Sequence, residues 1–222
     1  MHFTKLPFDA YVEGVDKMLT LVQGSQDLLK ALARFGYNTS RLAEGRKVFG
    51  DLVDLHQKQE AVMQAKMDAH EARKQLQVAV RKDYMKMLQI ARVVYDKDPV
   101  VSKALQLDGA RAINIDAWID QVELFCSRLI KESRWQQVLQ QYGILLEDLE
   151  KLLARAQSLR EVSLQCDQLK QDAKLQTAQK KKQLKVLQDW VSDFMKIAKI
   201  ALEDRPHWYA RLKNPADAKI KQ

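Results

Sequence analysis

From Ile144 to Arg205 the chain contains no glycine and no proline, and a near twin from Tyr37 to Asp98 lacks internal proline and is interrupted only by Gly45 and Gly50. Such stretches leave few options. They lack the turn residues that bound strands, and they are rich in Leu, Ala, Gln, Lys, Glu and Met, the side chains that lose least freedom in a helix. The chain as a whole has only 7 Gly and 4 Pro, with 46% apolar and 30% charged residues, a composition that fits a helix-dominated protein with enough apolar surface for a core.

Taken in order, residues 1–7 are a lead-in, and Pro7 is suited to open a helix. A first helix is expected over about 8–34. Its apolar residues Tyr11, Val15, Met18, Leu19, Val22, Leu28, Leu29 and Leu32 mostly recur at three or four. Gly36 supplies the left-handed residue that stops it. A second helix covers about 38–97. It is capped by Asn38, Thr39 or Ser40, with Glu44 placed for a capping box, and it is stopped by Asp98-Pro99. Beyond Leu55 its stripe narrows to Val62, Ala65, Ala69, Ala72, Leu76, Ala79, Val80, Tyr84, Met87 and Ala91, as a coiled-coil seam would, the alanines allowing close approach. Gly45 and Gly50 are its weak points, each costing up to about 1 kcal/mol relative to Ala; the helix is either continuous or bends there, the bend giving a more compact bundle of four to six helices. Val100–Leu107 reads as a short helix before an Asp108-Gly109 turn. A third helix spans about 115–141 and a fourth about 145–204, stopped by Pro206. The tail holds His207, Trp208, Tyr209 and Leu212, followed by a polar, frayed end.

These signals repeat. Gly36 and Gly143 stand 107 apart, as do Pro99 and Pro206. The same shift sets Phe8-Asp9-Ala10-Tyr11 on Ile115-Asp116-Ala117-Trp118, and Phe35-Gly36 on Tyr142-Gly143. Residues 1–107 and 108–222 therefore read as two copies of a short helix–long helix unit. A long helix of about 58 residues would run roughly 87 Å, which a helix of about 27 residues can only half cover. The expected architecture is all-α: an internally duplicated, antiparallel long-helix bundle or coiled coil. The two repeats pack in pseudo-twofold fashion as one domain, with crossing angles near 20°.

The end of the fourth helix carries Trp190, Asp193, Phe194, Ile197, Ala198, Ile200, Ala201, Leu202, Glu203, Asp204 and Pro206. This run resembles the closing pattern aromatic-x-x-Asp-Phe-x-x-Ile-Ala-x-Ile-Ala-Leu-Glu-Asp-x-Pro of an uncharacterised group of bacterial all-helical proteins. The resemblance implies an all-helical fold; the group has no assigned activity.

The formal charge is +8. It is shared evenly: 17 basic and 13 acidic residues in 1–107, 20 and 16 in 108–222, hence +4 in each. A nucleic-acid-binding tail would make the halves unequal. Two cysteines, Cys126 and Cys166, are too few for a disulfide framework. Neither a signal peptide nor a spanning helix is read in the sequence, so a cytoplasmic protein with reduced thiols is expected.

No stretch carries specific chemistry. His2, His56, His70 and His207 form neither His-Glu-x-x-His nor Glu-x-x-His, and read as surface or boundary residues, with His56 and His70 two heptads apart on one helix. Asp204-x-x-His207 has ligand spacing, but Pro206 interrupts the helix that would align the pair. Phosphate-cradling glycine loops and nucleophile elbows are absent. The row Asp116, Asp120, Glu123 reads as a solvated helix start. The candidate anion or partner face is Lys170, Lys174, Lys180, Lys181, Lys182 and Lys185, diluted by one acid, Asp172. A weaker counterpart holds Lys66, Arg73, Lys74, Arg81, Lys82 and Lys86. No aromatic residues interleave with them to stack bases. No catalytic residue, cofactor, metal or small-molecule substrate is implied. The expected function is a non-enzymatic structural or interaction protein that offers long helical surfaces to a protein partner or to itself. The alternative is non-specific binding of nucleic acid or an anionic membrane through the lysine-rich faces. Pore formation would need an apolar hairpin, which the sequence does not offer.

Overall fold

The computed structural model describes residues 6–214, which form eight helices and no strand. They are α1 (Phe8–Gln23), α2 (Gln26–Ala33), α3 (Thr39–Val94), α4 (Pro99–Ala104), α5 (Ile115–Lys131), α6 (Ser133–Gln140), α7 (Leu146–Ala201) and α8 (Pro206–Lys213). The helix starts Phe8 and Ile115, Gln26 and Ser133, Thr39 and Leu146, and Pro99 and Pro206 all stand 107 residues apart. The two long helices have 56 residues each.

Local chemistry sets the boundaries. The expected first helix is two: α1 ends at Gly24, and Ser25 caps α2 by accepting from the Leu28 amide at 3.4 Å. The expected third helix likewise breaks at Glu132, between α5 and α6. At the start of α3 the cap is Asn38, which accepts from the Arg41 amide at 3.0 Å; Glu44 pairs with Arg41 instead of closing a box. Gly36 (φ 88°) and Gly143 (φ 80°) are left-handed. After each, an amide reaches back five residues, Tyr37 to the Leu32 carbonyl and Ile144 to that of Leu139. This is the closed helix end in which an apolar residue folds back over the last turn, and Tyr37 and Ile144 are both buried. The same bond, Leu107 to Ser102, closes α4, with Gln106 at φ 52° in the place that glycine would take without strain. The tail residues from His207 form α8, because Pro206 occupies a first-turn position where its missing N–H costs nothing. The polar end expected to fray lies outside the described residues.

The chain forms two compact units, which do not coincide with residues 1–107 and 108–222. One comprises the described parts of Met1–Val62 and Ala173–Gln222; the other is Met63–Asp172. In the first, Tyr11, Val15, Met18, Leu19 and Val22 of α1 pack with Leu28 and Leu32 of α2. Leu42 and Leu52 of α3, and Leu187, Val191, Phe194 and Ala198 of α7, complete the core. Partners on α7 descend as α3 is followed upward: Gly45 meets Trp190, His56 meets Lys180, and Gln59 meets Thr177. In the second unit Trp118, Val122, Phe125, Cys126 and Leu129 of α5 pack on Val80, Tyr84, Leu88 and Ala91 of α3, and on Leu149, Leu152, Ala156 and Leu159 of α7. Core positions recur at the 107-residue shift: Val15 and Val122, Leu32 and Leu139, Leu42 and Leu149, Leu52 and Leu159, Ala91 and Ala198.

The sequence leaves open whether the second long helix is continuous or bent near Gly45 and Gly50; α3 is helical through both. Gly45 is buried, and a Cβ there would overlap the Trp190 indole; this glycine serves close packing, not bending. The small-residue seam is thinner than expected: Ala69 is buried, but Ala65 and Ala72 face solvent.

Candidate anion and partner face

The six lysines of the candidate face do not act together. In the first unit Lys174, Lys181 and Lys185 recur at seven and four residues along α7 and share one exposed side. Lys182 lies further round on the same exposed surface, near Leu175 (60% exposed) and Val186. Lys185 pairs with Asp189 at 2.7 Å, while Lys174, Lys181 and Lys182 make no ion pair among the described residues. Lys170, in the second unit, is exposed.

Lys180 points the other way. Its ammonium lies 3.8 Å from the centroid of the Phe8 ring and 2.9 Å from Nδ1 of His56. An ammonium can only donate, so Nδ1 accepts, and the ring proton sits on Nε2, which faces Glu60 at 3.5 Å and Asp9 at 3.9 Å. His56 is therefore a half-buried joint between α1, α3 and α7, held by an edge contact to Phe8 at 4.6 Å. In the second unit His70 sits beside Arg73 at 3.3 Å. His207 lies against Trp208, and His2 is outside the described residues. Among the described residues no group of three His, Cys, Asp or Glu side chains is placed to hold a metal.

The acidic row on α5 is not simply solvated. Arg160 of α7 grips it, with Nη2 at 2.6 Å from Asp120 and 3.0 Å from Glu123, and Nε at 3.1 Å from Glu123. Asp16 on α1, the counterpart of Glu123, receives Arg46 of α3. Asp83 receives Arg155 at 2.7 Å. The loop after α4 is pinned by two further arginines. Arg92 donates to the carbonyls of Leu107 and Gly109, and Arg111 donates to those of Gln106 and Asp108 and to the Tyr84 hydroxyl at 2.9 Å. Nothing in the spacing along the chain announces the pairings of Arg46, Arg155 and Arg160, because each joins helices distant in sequence.

Cys126 and Cys166 are both buried and free. Burial, with a smaller contribution from Glu123, pushes the Cys126 thiol up to about 12 from 9.0. The native thiol should therefore resist Ellman's reagent at pH 8. The sign of the pH effect follows. Above pH 9 the unfolded thiol ionises while the folded one keeps its proton, so stability should be intact below pH 9 and fall as pH rises toward 12. A urea midpoint lower at pH 10.5 than at pH 8, with a shallower fall in Cys126→Ala, is the expected result. At most about 1.4 kcal/mol per pH unit belongs to this group. Equal slopes in the two proteins would remove Cys126 as the cause. Burial raises Tyr11 and Tyr84 as well, adding to the alkaline loss above their ordinary value of 10.0.

Among the described residues no helix is long and apolar enough to cross a membrane. Comparison with protein-family models, with curated proteins and with solved structures finds no match to this chain.

Proposed function

We propose that this is a non-enzymatic structural or interaction protein whose long helices dock a protein partner or a second copy of the chain. The observation that carries this reading is the large apolar side chains left open on the long helices. Met67 and Val93 on α3, and Leu164 and Leu175 on α7, are all more than half exposed. Exposed large apolar side chains on a helix are the material of a contact surface. We also infer that the chain arose by duplication of a helical hairpin, now arranged with pseudo-twofold symmetry; the shared offset of helix starts, glycine stops and core positions supports this. The resemblance of the α7 end to bacterial all-helical proteins fits the same reading, and two reduced, buried thiols fit a cytoplasmic site of action. Light scattering after size exclusion, together with cross-linking and affinity capture from the source cell, tests it. A strict monomer that captures nothing would end it.

A second reading rests on Lys174, Lys181 and Lys182, whose charges no carboxylate among the described residues neutralises, with Lys170 as an outlying member. Such cations would bind nucleic acid or anionic lipid without sequence preference. With three phosphates contacted, the logarithm of affinity for duplex DNA should fall with the logarithm of salt at a slope of about −2.7. The triple substitution of these lysines by glutamate should abolish binding at about 50 mM salt, where such attachment is strong. Mobility shift and vesicle flotation measure both. No binding of the unaltered protein at that salt would discard this reading.

A further inference from the structure

Within the Met63–Asp172 unit α3 carries two stripes. One turns inward: Ala69 and Val80 are buried, and Leu76 packs against the core. The other runs Met63, Met67, His70, Lys74 and Gln77, at steps of four and three. It floors a shallow groove whose lining comes from α3 alone. Steps of four and three are how one helix seats another. Yet no second helix of the unit joins this lining, and Met63 and Met67 are 40% and 63% exposed. The 107-residue correspondence sharpens the point. Where α7 has Lys170, Lys174 and Lys181, all exposed, α3 has Met63, Met67 and Lys74. Two positions that α7 fills with solvated ammonium groups therefore hold open thioethers on α3. Methionine side chains adapt to a helix laid across them.

Charge selects the occupant. Lys66, Arg73 and Lys74 line the groove, and none of them makes an ion pair among the described residues. Arg73 donates to Nδ1 of His70 at 3.3 Å, which leaves its charge uncompensated. Glu71 is the one carboxylate of the lining, and the Gln75 amide donates to it at 2.9 Å. A second copy applying the same face would set these cations against one another. Two methionines, with no leucine or aromatic residue beside them in the lining, are too little apolar surface to seat α3 in a lipid interface. Stacking of nucleic-acid bases lacks its aromatic platform there as well.

We propose that this face of α3 docks an amphipathic helix of a protein partner, one that carries carboxylates beside its apolar stripe. The proposal deepens the interaction reading above and rests on it. Methyl NMR of the whole chain tests it with a peptide of about 21 residues repeating Leu-Ala-Glu-Leu-Glu-Ala-Glu, long enough to hold a helix alone. The peptide should shift the Met63 and Met67 methyls with a dissociation constant of about 0.1 mM, the weak end of recognition that so small a patch implies. The same peptide with lysine for glutamate, or with glutamine for leucine, should leave them unmoved at that concentration. Met67→Lys installs the residue that α7 has at the equivalent position. It should weaken the glutamate peptide about tenfold, read at Met63. Lys66→Glu with Lys74→Glu should lose the glutamate peptide and gain the lysine peptide. Helical circular dichroism should be kept in both variants.

Absence of shifts from the glutamate peptide at about 1 mM would overturn the proposal. Equal shifts from the lysine or glutamine peptide, or binding of the glutamate peptide that survives the double charge reversal, would do the same. So would duplex DNA or phosphatidylserine vesicles that move these methyls when the peptide does not. The two readings fail separately. Peptide binding by a chain that captures no partner keeps the face and removes the docking function. Partner capture or self-association indifferent to Met67→Lys and to the charge reversal keeps docking and removes this face from it.

Discussion

Tyr84→Ala should destabilise the protein by about 4 kcal/mol, the scale set by removing a fully buried large ring. Tyr84 is fully buried between α3 and α5, with its ring edge-on to Phe125 at 5.5 Å and to Trp118 at 6.0 Å. Its hydroxyl accepts from Arg111, whose Nε is buried and finds no partner among the described residues. Tyr84→Phe separates the two contributions. It keeps the ring contacts and strands one Arg111 donor, so it should cost about 1–2 kcal/mol. Arg111 still holds the carbonyls of Gln106 and Asp108, which limits the loss. Urea titration followed by circular dichroism measures both. Equal losses in the two variants would mean that the hydroxyl, and not the aromatic cluster, holds this core.

Gly45→Leu should cost about 3 kcal/mol, even though leucine is the better helix former by close to 1 kcal/mol. Overlap with the Trp190 indole decides the sign. In a Trp190→Ala background the same change should cost nothing or recover about 1 kcal/mol, because the new side chain enters the space the indole leaves. Additive effects in this double-mutant cycle would show that Gly45 and Trp190 do not compete for one volume. Gly50, where an added Cβ meets open space, is the control: Gly50→Ala should be neutral or slightly stabilising.

The helices were legible because their punctuation is local. Gly36, Gly143, Pro99 and Pro206 act on the residues beside them, and their shared offset was readable without coordinates. The breaks at Gly24-Ser25 and at Glu132 were not, because the apolar stripe continues in step across both and only a side-chain cap or a lost backbone bond reveals the interruption. The α8 helix was missed for a related reason: Pro206 ends α7 and opens α8, and only the first role was read. The lysine face was legible as composition but not as geometry. Lys180 differs from Lys181 and Lys182 only in the side of α7 it occupies, and that side is defined by Phe8 and His56, far away in the chain. Gly45 looked like a helix defect because its meaning lies in a tryptophan 145 positions later.

Because the Met63–Asp172 unit is continuous in sequence, it can close as soon as its own last helix segment leaves the ribosome. The other unit cannot: α1 and α2 emerge first, yet the α7 residues that cover them, Leu187 to Ala198, are made some 150 residues later. During that wait Leu19, Val22 and Leu32 have no lid. The nascent amino-terminal helices are thus the segment for which a cell's holding chaperones should compete, and a ribosome stalled before Ala173 should leave one finished module and one sticky, protease-sensitive arm.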